Sequence, residues 1–226
     1  MLRLVAGVAA LLGDPTRAAM LDALMDGRPR PAGELARTAG IAPSTASEHL
    51  ARLVAGRLLV VEPSGRERLY RLASADVAEV LEALSRLGSD EPVSSLRTAG
   101  RRDALQAART CYDHLAGRLG VAVTDALVAR DVLRPRDGSF ELSEDGAVFL
   151  TEIGVDVDAA RGRKRVFARS CLDWSERRPH LAGALGAALA DAALSHGWVR
   201  RRPNDRALDV TPQGVAALRK RLGVSL

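Results

Sequence analysis

The chain has 226 residues, 47% of them hydrophobic, 27% charged and only 3% aromatic, with a net charge of +5 and a sequence pI near 10.0. At roughly 150 residues per domain this is the composition of a soluble globular protein of two small domains with cores of Ala, Leu and Val; it excludes a disordered chain, and no apolar run reaches membrane-spanning length. Two cysteines sixty residues apart exclude a disulfide framework and point to a reducing compartment, while the arginine excess suits a polyanionic partner without demanding one.

The opening MLRLVAGVAALLG could pass for a signal-peptide core, but it runs without a cleavage site into a capped helix, so a cytoplasmic protein with no membrane partner is expected. Leu4, Val8, Leu11 and Leu12 recur at helical spacing and give that segment one apolar stripe. Asp14 and Pro15 then open a second helix, carrying Met20, Leu21 and Leu24 inward and closed by Gly27. PAGELARTAG predicts a short third helix ended by Gly40, and IAPSTASEHLARLVAG a fourth from Pro43 to Gly56. Two short helices joined by a glycine turn suggest helix-turn-helix.

On the fourth helix Ala46, Leu50, Leu53 and Val54 share one face, and Ser44, Thr45, Glu48, Ala51 and Arg52 project oppositely. Small hydroxyl residues let a helix sit deep in a major groove, where Ser, Thr and Arg meet base edges or phosphates; a plain solvated face is the alternative. LLVVEP, SGR and ERLYRL read as strand, turn and strand with Arg66 and Arg68 at or beside the tip, which directly after a helix-turn-helix makes a wing. SADVAEVLEALSRLG puts Val77, Val80, Leu81, Leu84 and Leu87 on one face of a further helix, for packing within one subunit or across a twofold axis.

LLGDPTRAAMLDALMDG followed by ELARTAGIAPSTASEHLARLVAGRLLVVEPSGRERLYRL resembles the ArsR/SmtB group of dimeric winged-helix repressors, over about residues 5 to 87. The resemblance implies a recognition helix around Ser44, Thr45, Ser47, Glu48 and His49, a wing at Arg66 and Arg68, and a homodimer formed through the first and last helices of the domain. The sequence departs from that group in three places. Ala42 stands where a hydroxyl often caps the recognition helix, a loss of about 1 kcal/mol that Pro43 partly offsets. GELAR occupies the position of the cysteine pair of metal-sensing members, and the last helix lacks the paired Asp and His ligands of others. A metal site in the familial positions is therefore not expected.

The domain is expected to span 1–88, followed by a linker over 89–101 in GSDEPVSSLRTAG and a regulatory domain over 102–226. That last part is an internal repeat, about 107–158 and 167–226. ARTCYD matches ARSCLD, HLAGRLGVAVTDAL matches HLAGALGAALADAA, SEDG matches TPQG, and GVDV answers GVSL; six extra residues, WSERRP, stand before His180. Each copy reads as helix, helix, strand and turn, then a helix opened by Ser143 or Thr211, giving a mainly α chain with small β-hairpins (α+β) and an effector groove between the copies.

Cys111 and His114 stand three apart on one helical face, and Cys171 and His180 are their repeat-related counterparts, a ligand set that suits tetrahedral zinc. Two alternatives stay open: buried structural cysteines with capping histidines, or thiols that pair on oxidation or line an effector pocket beside Trp174. Arg161, Arg163, Lys164 and Arg165, and Arg200, Arg201 and Arg202, form basic runs that are solvated faces or added phosphate contacts. The expected function is a sequence-specific regulator of double-stranded DNA, a homodimeric repressor released by an unknown small-molecule, metal or redox effector. The alternatives are a constitutive architectural protein and a DNA-binding module fused to a metal- or thiol-dependent enzyme. No Ser-His-Asp order, H-E-x-x-H or phosphate-cradling glycine loop supports an enzyme.

Overall fold

A computed structural model describes residues 2–65, 67–87, 96–203 and 205–225, without the side chains of 2–4 and 96–98. The chain divides into two compact units, Met1–Leu84 and Ser85–Leu226.

The first unit runs α1 (Leu2–Leu12), α2 (Pro15–Ala23), β1 (Arg30–Pro31), α3 (Ala32–Ala39), α4 (Pro43–Ala55), β2 (Leu59–Ser64), β3 (Glu67–Leu72) and α5 (Ala75–Leu87), whose last residues lie beyond the boundary. Asp14 caps α2 by accepting from the Arg17 N–H at 2.9 Å, with Pro15 at the first helical position. Gly27 does not close α2 directly. The helix ends at Ala23, and Leu24, Met25 and Gly27 bond back three residues, a tightened turn that Gly27 leaves at φ 73°. Gly40, at φ 68°, ends α3 in the left-handed conformation that a non-glycine residue adopts only at a cost. Met20, Leu21, Leu24, Leu35, Leu50, Leu53 and Leu72 are completely buried. The wing is the antiparallel pair β2 and β3, and β1 adds a third strand beside β3, with Arg30 opposite Tyr70. Periodicity gave no sign of that two-residue strand; it is pinned by the buried Arg30, which reaches Asp26 at 2.7 Å.

The second unit begins with α6 (Leu96–Ala107), so residues 96–101 of the expected linker are helical, while 89–95 lie outside the described residues. Then follow β4 (Arg109–Cys111), β5 (His114–Ala116), α7 (Gly117–Ala129), β6 (Leu133–Arg136), β7 (Ser139–Leu142) and α8 (Glu144–Glu152). After the short α9 (Val157–Arg161) the order returns: β8 (Arg169–Leu172), β9 (Pro179–Ala182), α10 (Gly183–Ser195), β10 (Val199–Arg201), β11 (Leu208–Val210) and α11 (Pro212–Leu222). Each copy is thus hairpin, helix, hairpin, helix. The second helix opens on a hydroxyl: Ser143 accepts from Gly146 N–H at 3.0 Å and Thr211 from Gly214 N–H at 2.9 Å.

The segments that carry the cysteines are hairpins, not helices. A spacing of three residues satisfies one helical turn or a two-residue hairpin loop equally well, and Tyr112, at φ 61°, makes the loop. Cys111 lies opposite His114 across β4 and β5, and Cys171 opposite His180 across β8 and β9. WSERRP lengthens the loop of the second hairpin and leaves the cysteine–histidine register unchanged.

The copies hold each other reciprocally. Phe140 N–H donates to Ala168 O at 3.0 Å and Leu208 N–H to Ala108 O at 2.8 Å; Ser170 N–H donates to Gly138 O at 3.2 Å and Thr110 N–H to Arg206 O at 2.9 Å. The later hairpin of each copy therefore edges the earlier hairpin of the other, the pattern of a local twofold. Where a groove between the copies was expected, Leu115, Leu119, Leu127 and Leu150 pack with Leu181, Leu185, Leu189 and Trp198 in one core.

Candidate functional site

In the first unit, α4 buries Ala46, Leu50 and Leu53 and exposes Ser44, Thr45, Ser47, Glu48 and Arg52. Ala42 is its N-cap without a side-chain hydrogen bond, and Pro43 follows at the first position, as the sequence implies. Ser47 Oγ donates to Pro43 O at 3.0 Å. His49 is half-buried, with Nδ1 3.7 Å from Asp14 Oδ1, so it turns toward the cap of α2. In the wing Arg68 is exposed opposite Pro63, and Arg66 lies outside the described residues. The outer faces of α1 and α5 carry exposed Val5, Val8, Val80, Leu84 and Leu87, and Val5, Val8, Ala9, Leu12, Val80 and Leu84 line an apolar groove of about 660 Å³.

In the second unit β5 and β9 lie side by side and bring together Cys111, His114, Cys171 and His180, whose candidate ligand atoms all lie within 4.8 Å of one another. His114 Nε2 and His180 Nε2 are 3.1 Å apart, their rings stacked with centroids 5.0 Å apart. Neither cysteine is in a disulfide; Cys111 and both histidines are buried, Cys171 less so.

Each imidazole has a carboxylate behind it. His114 Nδ1 is 3.4 Å from Asp113 Oδ1, and His180 Nδ1 is 3.7 Å from Asp173 Oδ2. Arg165 pairs with Asp113. Asp173, fully buried, accepts from Arg109 Nη2 at 2.9 Å, Gly117 N–H at 2.8 Å, Ser175 N–H at 2.9 Å, Ser175 Oγ at 2.8 Å and Glu176 N–H at 3.1 Å. The Arg109 guanidinium also lies over the Trp174 ring, 4.7 Å from its centroid. Sequence reasoning missed Asp113 and Asp173 although the repeat marks them, as the last residues of ARTCYD and ARSCLD.

The electrostatics follow from these contacts. Hydrogen bonding from the Cys111 thiol, opposed by burial and reinforced by His114 and His180, pushes the Cys171 thiol far down. Burial works against the charged form of His114, but Asp113 and Cys171 outweigh it and hold the imidazole up to about 9. Burial likewise opposes the charge of Asp173, and Arg109 with the Glu176 and Gly117 N–H groups keeps it well below the usual carboxylate range. A pocket of two cysteine sulfurs and two imidazoles can hold a borderline-soft cation or support thiol chemistry.

Residues 12–62 match the family model described as a helix-turn-helix domain. Over 222 residues, 98% of this chain and 98% of the relative, the sequence is 45% identical to a protein of Bacillus subtilis (strain 168) named as an uncharacterized HTH-type transcriptional regulator, YdfF. It is 36% identical over 92 residues, 39% of this chain and 77% of the relative, to the HTH-type transcriptional regulator CmtR of Mycobacterium tuberculosis (strain ATCC 25618 / H37Rv). The solution structure of a homodimeric winged helix-turn-helix DNA-binding domain from Mycobacterium bovis, titled a possible ArsR-family regulator, aligns at 32% identity with 38% of this chain and 78% of that one, at a TM-score of 0.35. No helix among the described residues is long and apolar enough to cross a membrane. The winged helix-turn-helix of the first unit and a regulator relative matched from end to end lead to one assignment: the chain belongs to the ArsR/SmtB-type winged helix-turn-helix transcriptional regulators.

Proposed function

We propose that the protein is a homodimeric repressor whose two winged helices enter successive major grooves of a pseudo-palindromic operator, and that the C-terminal unit senses the effector that releases it. The observation that carries the DNA reading is the outer face of α4, where Ser44, Thr45, Ser47, Glu48 and Arg52 are all exposed and the three hydroxyl residues are small enough to let the helix approach bases closely. Arg68 on the wing adds a phosphate contact, which strengthens binding without reading sequence. His49, turned toward Asp14, supports the helix rather than the DNA.

The dimer reading is supported by the apolar groove between α1 and α5. Val5 at 59%, Val80 at 46%, Leu84 at 45% and Leu87 at 83% exposure are costly to leave in water, and a second copy of the same face covers them.

The test is selection of a preferred duplex from a random pool, followed by titration of that duplex and a scrambled one at moderate salt. A preference of about a thousandfold or more is expected, and Thr45→Ala and Arg52→Ala should each erode it while leaving the dimer intact. Equal affinity for both duplexes would refute the regulator reading.

A further inference from the structure

We propose that Cys111, His114, Cys171 and His180 form a closed tetrahedral site for one zinc-class divalent ion, clamping the two repeat copies to each other, and that occupancy of this site is the signal that alters DNA affinity. As a metal site it stands on the cluster alone; as an effector site it rests on the regulator reading above.

Four observations converge on it. The donor set is two sulfurs and two imidazole nitrogens, all within 4.8 Å of one another, and these donors favour zinc and its soft neighbours over oxygen-seeking calcium or magnesium. Zinc–nitrogen bonds of about 2.0–2.1 Å in a tetrahedron put the two nitrogens about 3.3 Å apart, and His114 and His180 present Nε2 to Nε2 at 3.1 Å. Both histidines turn the other nitrogen, Nδ1, toward a carboxylate, Asp113 at 3.4 Å and Asp173 at 3.7 Å. At His114 that contact orients a ligating ring and raises its basicity, whereas His180 Nδ1 faces Asp173 from beyond hydrogen-bonding distance. The same Cys and His recur in each copy at one register position of two hairpins that meet side by side, with an Asp two residues after each Cys.

Four protein ligands leave no open position for substrate, so the site is structural or sensory rather than catalytic. The metal joins residues sixty positions apart in sequence, and it joins one copy to the other. Loading therefore biases the packing of β5 against β9. Binding releases protons from any thiol still protonated and involves no electron transfer.

The experiment uses the full-length chain, stripped with a chelator under reducing conditions and titrated with Co(II), then Zn(II). The expected result is about one ion per chain, the visible bands of tetrahedral cobalt with a near-ultraviolet thiolate-to-cobalt band, and bleaching of both by an equivalent of zinc. Cys111→Ser and Cys171→Ser should each cut the thiolate band to about half, and the double variant should lose it. Asp113→Asn, whose side chain is partly exposed and outside the donor set, should stay folded by circular dichroism and bind zinc about 10- to 100-fold more weakly. A folded wild type that takes up less than about a tenth of an equivalent, or a double cysteine variant that keeps the tetrahedral spectrum, overturns the site.

DNA affinity of the stripped and zinc-loaded chains separates the two readings. A difference of about 5- to 150-fold supports the effector role, and equal affinity overturns it. A chain that prefers no duplex whether stripped or loaded sinks the regulator reading and leaves the metal site standing; a chain that reads its duplex but takes no metal does the reverse.

Discussion

Replacing Asp173 by leucine removes the anion from a pair in which neither side chain is exposed. Arg109 would keep its hydrogen bonds to Leu105 O at 2.9 Å and Ser175 Oγ at 3.2 Å and its place over the Trp174 ring, and a guanidinium buried without its counter-ion costs about 3–5 kcal/mol. The reverse variant, Arg109→Met, leaves the carboxylate with donors from Gly117, Ser175 and Glu176, so its cost should be smaller, about 2 kcal/mol. The double variant should cost less than the two singles together, because each single strands the other's charge. At about 2–4 °C per kcal/mol for a chain of this size, Asp173→Leu should melt roughly 6–20 °C below wild type. Both tryptophans of the chain, Trp174 and Trp198, lie in the second unit, so fluorescence melts report on that unit alone. Chelator should be present throughout, so that any metal-linked stability is absent from every sample. A loss below about 1 kcal/mol for Asp173→Leu, or a larger loss for Arg109→Met, would refute the claim that Asp173 is the hub of the buried network.

Leu84→Glu, placed in the apolar groove of α1 and α5, should turn a dimer into a monomer by light scattering while the tryptophan melt stays unchanged; a persistent dimer would move the interface elsewhere. Gly183→Ala should destabilise by roughly 2 kcal/mol or more, since φ is +79° and the new Cβ would lie 2.6 Å from Val166 O and 2.8 Å from Phe167 O, both backbone; an unchanged melt would contradict this. The Arg17 N–H holds the Asp14 carboxyl below its ordinary pKa, so its contribution is complete above the unfolded value and is lost as pH falls through the lower folded one. Asp14→Ala should therefore lower the helical melt at neutral pH and cease to matter in strong acid, and a pH-independent difference would exclude the cap as its cause.

The N-terminal unit was legible because local chemistry and tertiary packing agree there. Asp14–Pro15, Gly40 and Pro43 each punctuate a helix where the structure has one, and the apolar faces of α2 to α4 meet. The repeat was legible as a repeat but not in its conformation. ARTCYD carries a spacing that a helix and a tight hairpin both satisfy, and the deciding term is nonlocal: β4 bonds to Ala207 and Arg206, far along the chain. The same term explains why the four candidate ligands could be named while their neighbours could not. Cysteine and histidine announce themselves by type, whereas Asp113 and Asp173 act only through the rings they face.

The reciprocal edging of the two copies also orders events during translation. As β4 and β5 leave the ribosome, the backbone that will satisfy Ala108 O and Thr110 N–H, at Leu208 and Arg206, has not yet been made. The first copy must wait with an unpaired edge until nearly the last strand emerges, exposed meanwhile to any other nascent chain bearing the same edge. The second copy carries no such delay, because β7 is already present when β8 arrives. Chains cut short before Arg206 should thus be the sticky ones, and the completed C-terminus is what ends the risk.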